Sequence, residues 1–567
     1  MRSWSRIYSL VLIFVMAGMA TAENYLINGG QESSINYQMV QKVVPASGTK
    51  KLKLSYVVPV SFTSPTYNQR ISRFNVNFSV QPNERKESVD KRGNKIILVE
   101  WDNPSMSTPI NTTIDITAMN QTKLEPLHTN APFPLTNLQK DERQYLEATE
   151  QVPSNDSRIV QKAKSLTNGA KTEFDAVQKI LSWVVDHMNY VLLPKSYDAM
   201  YSFETGKGNC QNYSHLAAAL LKAVGIPARI VNGVSLKEPY EIDTGRGTMT
   251  MRMAQGRHSW IEVFFPDLGW VPLDPQQTAL YVSNRFIRVE IGLDNDETAS
   301  DGLIRWTQSR GHDDIPRFEE VIEAGFTGDR VNLKAAKQNY GPKNIMFYPY
   351  VDADFTKVTT PPPPQPTQIS DSRLNNLNYS QPFLFGNLEF PQNIDFMNVR
   401  SLGQDQEGGK ELRKNFLVET AEYVTTRGNQ YAQTFILKDP VKLVKTGLAL
   451  HKFGGDGQLW LELYKDDGMG NPGEYITTSD YLPLSNISFA PGYRWVDFTF
   501  PDNPVLSPGR YWVALGFTGS PIVNWFFTYG KPVGPVDGTK YKTLFDDGWS
   551  RSLNFEFNYR IAGFSAK

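Results

Sequence analysis

Cys210 is the only cysteine in a chain of 567 residues, and it stands in the run Gly206-Lys207-Gly208-Asn209-Cys210-Gln211-Asn212. The glycines predict a tight turn, and Asn209 is a residue type that caps a helix start. Cys210 then falls in the first helical turn, where unpaired N–H groups and the positive end of the helix dipole favour a thiolate over a thiol. A thiolate that attacks an amide needs a proton donor for the leaving amine, and imidazole suits that task near neutral pH. Among six histidines, His258 has a fitting context. It lies near the start of a strand-like run, Gly256 to Phe265, followed by the turn Pro266-Asp267-Leu268-Gly269 and a second run, Trp270-Val271-Pro272-Leu273-Asp274-Pro275. Antiparallel pairing across that turn returns Asp274 to the end of the sheet that holds His258, where a carboxylate can orient the ring and stabilise imidazolium. Cys210, His258 and Asp274 are therefore the candidate catalytic residues, with the hairpin register left open.

Each of the three has a plainer reading. A lone cysteine in an oxidising compartment is either a buried small hydrophobe or a thiol kept for reactivity; here Leu216, Ala217, Leu220 and Leu221 already supply the helix's inner face. Standing alone, His258 would read as a hydrogen-bonded structural histidine and Asp274 as a turn residue before Pro275. His215, five positions after Cys210, falls on a different helix face and reads as structural. His128, His187, His312 and His451 lack a comparable setting. His312-Asp313-Asp314 has no second ligand cluster and reads as a solvated loop. No metal and no cofactor is expected.

The elements that must position these residues can be read from periodicity. From about Glu23 to Pro134, alternation at Leu52, Leu54 and Tyr56, at Phe74, Val76, Phe78 and Val80, and at Ile114 and Ile116 predicts half-buried strands of a β-sandwich. Between Asp141 and Leu221 the period becomes helical. Phe174, Val177, Leu181, Val184 and Met188 line one face of a helix that Thr172 and Asp175 can open as a capping pair. A second helix is expected over about 210–224, then strands over Ala228–Val234, Ser259–Phe265 and Trp270–Leu273, which together make an α+β core. The run Thr359-Thr360-Pro361-Pro362-Pro363-Pro364-Gln365-Pro366 predicts an extended spacer. Beyond it, alternation at Leu459-Leu461-Leu463, Trp495 to Phe500, Tyr511 to Phe517 and Leu553 to Ile561, broken by turns such as Asp466-Asp467-Gly468, predicts a second β-sandwich or jelly roll. The expected division is a signal peptide at 1–22, an N-terminal β-sandwich at 23–140, the catalytic core at 141–350, a Pro-rich linker at 351–375 and a C-terminal β-sandwich at 376–567.

These blocks carry a resemblance. Gly-Asn-Cys210 before a helix, Gly225-Ile226-Pro227-Ala228-Arg229 closing it, His258-Ser259-Trp260-Ile261-Glu262-Val263 and Gly269-Trp270-Val271-Pro272-Leu273-Asp274-Pro275 together resemble the transglutaminase-like core, a papain-like cysteine fold. The resemblance runs from about Thr172 to Pro275. It implies a Cys-His-Asp triad at Cys210, His258 and Asp274. It also implies one of three activities: hydrolysis of peptide or glycan amides, cross-linking through glutamine side chains, or an inactive core that binds surfaces. Hydrolysis is preferred by analogy with bacterial relatives that carry appended sandwiches. The family's oxyanion hole adds an upstream donor to the cysteine's own N–H, and Tyr190 is the candidate. Gln211 and Gln276 depart from many bacterial relatives, which have an acidic residue after the cysteine and Thr or Ser after Asp-Pro; substrate preference is what this leaves open.

The start of the chain and its composition bear on place and partners. Arg2 and Arg6 precede an apolar run from Ile7 to Ala20 and the small-residue site Ala20-Thr21-Ala22, the pattern of a cleavable secretory signal. No later segment reads as a transmembrane anchor, so a secreted or periplasmic protein is expected. With net charge −1, nothing points to nucleic acid. The expected partner is a protein, peptide or peptidoglycan-like substrate. Trp460, Trp495, Trp512, Trp525, Trp549 and Tyr529 raise glycan binding by the C-terminal domain against the plainer reading of core rings. Of the sequons at Asn77, Asn111, Asn120, Asn155, Asn212, Asn378 and Asn486, the one at Asn212 would place a glycan beside Cys210, which favours a bacterial source.

Overall fold

The computed structural model describes residues 24–338 apart from 246 and 277–279, then 351–356, 370–389, 399–414, 423–425, 428–528 apart from 491, and 538–566 apart from 550. The expected signal peptide, the Pro-rich run at 359–366 and Tyr529 lie outside the described residues.

The chain is rich in strands and carries a helical core between its two β-rich ends. In the N-terminal part, the long strand Asn24–Val44 pairs antiparallel with Ile110–Leu124, which pairs in turn with Tyr67–Phe78. A second sheet holds Thr49–Val58 against Lys95–Asp102. Ile35, Tyr37, Ile114 and Ile116 of the first sheet and Leu52, Leu54, Tyr56 and Val99 of the second share one buried cluster. The alternation read from the sequence is the alternation of these inward side chains. Two later strands extend these sheets. Arg317–Gln338 runs the length of Asn24–Val44, and Leu303–Gln308 pairs with Thr49–Val58. Residues 303–338, expected within the core segment, thus pair with the N-terminal strands. Their pattern is strand-like too, but partner choice depends on contacts between residues almost 300 positions apart.

The helical core centres on Cys210–Ala223, buried from Cys210 through Lys222. Around it stand the helices Ser157–Leu166, Glu173–His187 and Ala199–Thr205, and the strands Ala228–Ser235 and Gly256–Phe265. Tyr213, Leu216, Ala217, Leu220 and Leu221 join Val177, Ile180, Leu181, Val184, Ile261 and Val263 in one cluster. Burying each large aliphatic side chain there contributes roughly 1.5–3 kcal/mol. As the sequence predicts, Thr172 caps the Glu173–His187 helix by accepting from the Asp175 amide at 3.3 Å.

The core sheet has the order Gly269–Leu273, Gly256–Phe265, Ala228–Ser235, Phe286–Gly292. Among the described residues, C-terminal strands pair onto the rest of the molecule at two places. Arg551–Leu553 pairs parallel with Thr248–Met251, next to the core, and Lys410–Lys414 pairs with Leu303–Gln308. The C-terminal cluster is shared by Leu459, Leu461, Leu463 and Val513 on one sheet and Leu448, Leu450, Phe557 and Tyr559 on the other. Trp512 and Trp525 are wholly buried, as the plainer reading of those rings has it. The Asp466-Asp467-Gly468 segment is a turn: Asp466 Oδ1 accepts from the Gly468 amide at 2.9 Å and Asp467 Oδ1 from that of Met469 at 2.7 Å.

Candidate active site

The cysteine is placed by its helix start. Gly206 ends the Ala199–Thr205 helix in the left-handed conformation, at φ +63°, which glycine adopts without steric cost. Gly208 is needed for a different reason, since a Cβ there would sit 2.2 Å from the Cβ of Asn212. Asn209 and Asn212 then form a reciprocal cap. Asn209 Oδ1 accepts from the Gln211 amide at 3.1 Å, and the Asn209 amide donates to Asn212 Oδ1 at 3.2 Å. Asn212 Nδ2 is spent on Ser202 Oγ and the Ser196 carbonyl, at 2.9 and 3.0 Å. Asn212 and Asn120 are fully buried, so neither sequon can carry a glycan in the folded protein.

The hairpin register left open by the sequence runs from Phe265 opposite Gly269 to Ile261 opposite Leu273. Asp274 follows the last paired residue, and its Oδ2 meets His258 Nε2 at 2.7 Å. Its other oxygen accepts from the Gln276 amide at 3.0 Å. The helix that Cys210 opens packs against the strand that carries His258, and Cys210 is the other group that favours a charged ring. Burial works against a charged imidazole, but Asp274 and then Cys210 outweigh it and push the His258 pKa up to about 10. All three are closed to solvent, with exposures of 0% for Cys210 and Asp274 and 3% for His258. A buried thiol, an imidazole and a carboxylate in this order can pass a proton between nucleophile and leaving group while the carboxylate fixes the tautomer.

The remaining motif residues hold the frame. Glu262 is a buried carboxylate gripped by two arginines: its Oε2 accepts from Arg229 Nε and its Oε1 from Arg288 Nε, both at 2.6 Å. Arg229 also lies over the Trp270 ring at 4.0 Å. Four adjacent strands are tied together by this one cluster. His215 is held at both ring nitrogens, Nδ1 donating to the Tyr197 carbonyl at 2.6 Å and Nε2 accepting from the Asn295 amide at 3.1 Å, the structural role read for it. Tyr190 lies opposite Gly208 in a short parallel pair, two residues from Cys210, and its half-buried side chain packs against the core cluster. Among the described residues, no group of three or more His, Cys, Asp or Glu side chains could hold a metal.

Sequence reasoning missed several neighbours of the site. Ser214, one turn after Cys210, donates to the Ser259 carbonyl at 3.0 Å, pinning the Cys210 helix to the His258 strand. Phe286 and Arg257 flank His258 through contacts described below. Only Arg257 left a signal, a charged residue directly before the candidate histidine.

Residues 160–275 match the family model of the transglutaminase-like superfamily, so the chain carries a transglutaminase-like core. A Bacillus subtilis protein described as uncharacterized, YebA, is 31% identical over 139 residues, 23% of this chain and 18% of that protein. A Pseudomonas aeruginosa protein-glutamine gamma-glutamyltransferase is 32% identical over 75 residues, 13% of this chain and 11% of that protein. The chain thus matches less than a fifth of the length of either relative. Among solved structures, a Cytophaga hutchinsonii protein entitled a candidate cysteine protease aligns at TM-score 0.36 and 16% identity, covering 59% of this chain and 96% of that one. The periplasmic domain of TgpA from Pseudomonas aeruginosa aligns at TM-score 0.22 and 14% identity, covering 42% and 88%.

Proposed function

We propose that this protein is an exported cysteine enzyme acting on amide bonds of peptides or proteins, with Cys210 as nucleophile, His258 as acid and base, and Asp274 as the group that orients it. The 2.7 Å contact of His258 with Asp274, on a strand packed against the helix that Cys210 opens, carries the reading. In the reaction, the Cys210 thiolate attacks the carbonyl carbon, and the oxyanion is met by the Cys210 backbone N–H, with Tyr190 as the added donor. His258 gives its proton to the departing amine, leaving a thioester. Water then attacks the thioester as His258 takes a proton from it, releasing the acid and restoring the thiolate–imidazolium pair. The N-terminal leader directs export, and β-sandwiches at 23–140 and 376–567 flank the core at 141–350, with 303–338 returning to the N-terminal sheets. Glycan binding by the C-terminal sandwich belongs to this reading only through its half-buried rings, Trp460, Trp495 and Trp549.

A second reading, acyl transfer to an amine, uses the same residues and has support in the name of the Pseudomonas aeruginosa relative. The two differ in what resolves the thioester. Dimethylcasein incubated with the full chain and monodansylcadaverine separates them. Hydrolysis predicts release of ammonia or new amino termini without dansyl incorporation, and transfer predicts fluorescent casein. Neither product, with the Cys210→Ala control equally silent across a panel of peptide and protein substrates, would count against an enzyme.

A further inference from the structure

Two separate sets of contacts join His258 to the N-terminal β-unit. The first runs through its chain neighbour. Arg257 is 1% exposed, and its guanidinium is paired with Asp301 on one side and with Glu320 Oε2, at 3.1 Å, on the other. Glu320 lies on the strand Arg317–Gln338 and also accepts from Gln41 Nε2 at 2.7 Å. Asp301 accepts from the Val57 amide at 3.1 Å. Burial alone would penalise the Arg257 charge, yet the two carboxylates more than offset it. Three strands of the N-terminal β-unit, Asn24–Val44, Thr49–Val58 and Arg317–Gln338, therefore feed the contacts around the residue whose backbone delivers His258.

The second set runs through space. The Phe286 ring lies 5.2 Å from the His258 ring and is stacked on Trp260 at 5.1 Å, while Trp260 lies 5.9 Å from His258. The Phe286 carbonyl accepts from Tyr67 Oη at 2.8 Å and from Asn120 Nδ2 at 2.6 Å, both on N-terminal strands. Two residues on, Gln69 bonds both the amide and the carbonyl of Arg288, at 2.8 and 2.9 Å. The wall beside the imidazole is thus clamped by the same β-unit that grips Arg257.

We propose that Arg257 and Phe286 are positioning residues through which the N-terminal β-unit holds His258 against Cys210 and Asp274, making that unit a working part of the site. This rests on reading Cys210, His258 and Asp274 as the catalytic set. A displacement of about 1 Å in such a group costs on the order of a hundredfold in rate, and an aromatic face beside an imidazolium favours the charged ring.

The test is the rate of Cys210 alkylation by iodoacetamide from pH 5 to 10 in the full chain, with circular dichroism and thermal midpoint alongside. Wild type and His258→Ala set the limits. Phe286→Leu and Arg257→Gln are expected to lose about tenfold or more of the rate at pH 6 and much less at pH 9. Phe286→Tyr and Arg257→Lys should recover part of that loss. Tyr67→Phe keeps both rings and removes only the hydroxyl on the Phe286 carbonyl, so it tests the clamp even if the harsher variants fail to fold; about a two- to fivefold loss at pH 6 is expected. Folded variants with the wild-type pH profile, Tyr67→Phe included, would overturn the proposal while leaving the triad standing. Coincident profiles for wild type and His258→Ala would instead remove the triad reading, and this proposal with it.

Discussion

At the scale of single residues, the candidate site was largely legible because its chemistry is concentrated in few side chains. One cysteine after a capping asparagine, and one histidine and one aspartate on a hairpin, are patterns a sequence carries openly. A buried carboxyl without a partner is not. Glu173 opens its helix fully buried, and neither of its oxygens finds a hydrogen bond among the described residues. Burial, with Asp267 adding to it, pushes its pKa up to about 9 from the ordinary 4.5. Between those two pH values the native chain keeps a proton that the unfolded chain has released, so this group makes stability fall as pH rises from about 4.5 to 9. Glu173→Gln is expected to flatten that decline and to gain roughly 1–3 kcal/mol at pH 9, read from urea midpoints. An equal pH slope in the variant and wild type would contradict the assignment. For His258 the raised pKa has a functional sense. Asp274 beside the ring favours its charged form against the cost of burial, which suits the proton donor that the proposed reaction needs.

At the scale of elements, the Cys210 helix was foreseen nearly to the residue, because its start is marked by a capping asparagine and its end by Gly225-Ile226-Pro227. Asn209→Ala removes the acceptor of the Gln211 amide from the first turn and should cost about 1 kcal/mol, with slower alkylation of Cys210, which that turn carries. A thermal midpoint and an alkylation rate both unchanged would contradict the cap's role. Gly208→Ala is expected to do more harm, because its new methyl meets the side chain that completes the cap. The Glu262 cluster belongs to the same scale. Glu262→Gln leaves Arg229 and Arg288 sharing a neutral partner in a buried place, and about 3–5 kcal/mol of stability should go with the charge, measured by chemical denaturation. What the sequence withheld here was register and tautomer. The offset of 261 against 273, and Nε2 as the nitrogen facing Asp274, follow from the turn and from packing against neighbouring strands.

At the scale of the whole molecule, the two β-rich ends were legible as patterns and their mutual arrangement was not. Alternation tells which side of a strand is buried, but not which strand lies beside it, and the pairings of 303–338 with 24–58 and of 551–553 with 248–250 join residues far apart in the chain. Asn554 and Arg252 seal the second junction by exchanging two hydrogen bonds, each 2.9 Å long, between one's side-chain amide and the other's backbone. A chain ending after residue 356 would lose the C-terminal strands paired to Thr248–Met251 and Leu303–Gln308, which would keep their partners Tyr240–Asp243 and Thr49–Val58. It is expected to unfold at lower temperature and to bind more of an apolar dye than the full chain. An unchanged midpoint would mean that the C-terminal part contributes nothing to the rest.

The central claim is that Cys210 and His258 work as a pair, and the rate of Cys210 alkylation against pH, in the wild type and in His258→Ala, tests it most directly. The account predicts that wild type reacts faster than the variant at neutral pH, because His258 takes up the proton of the thiol, and that the two curves differ in shape. Two superimposable curves would contradict it.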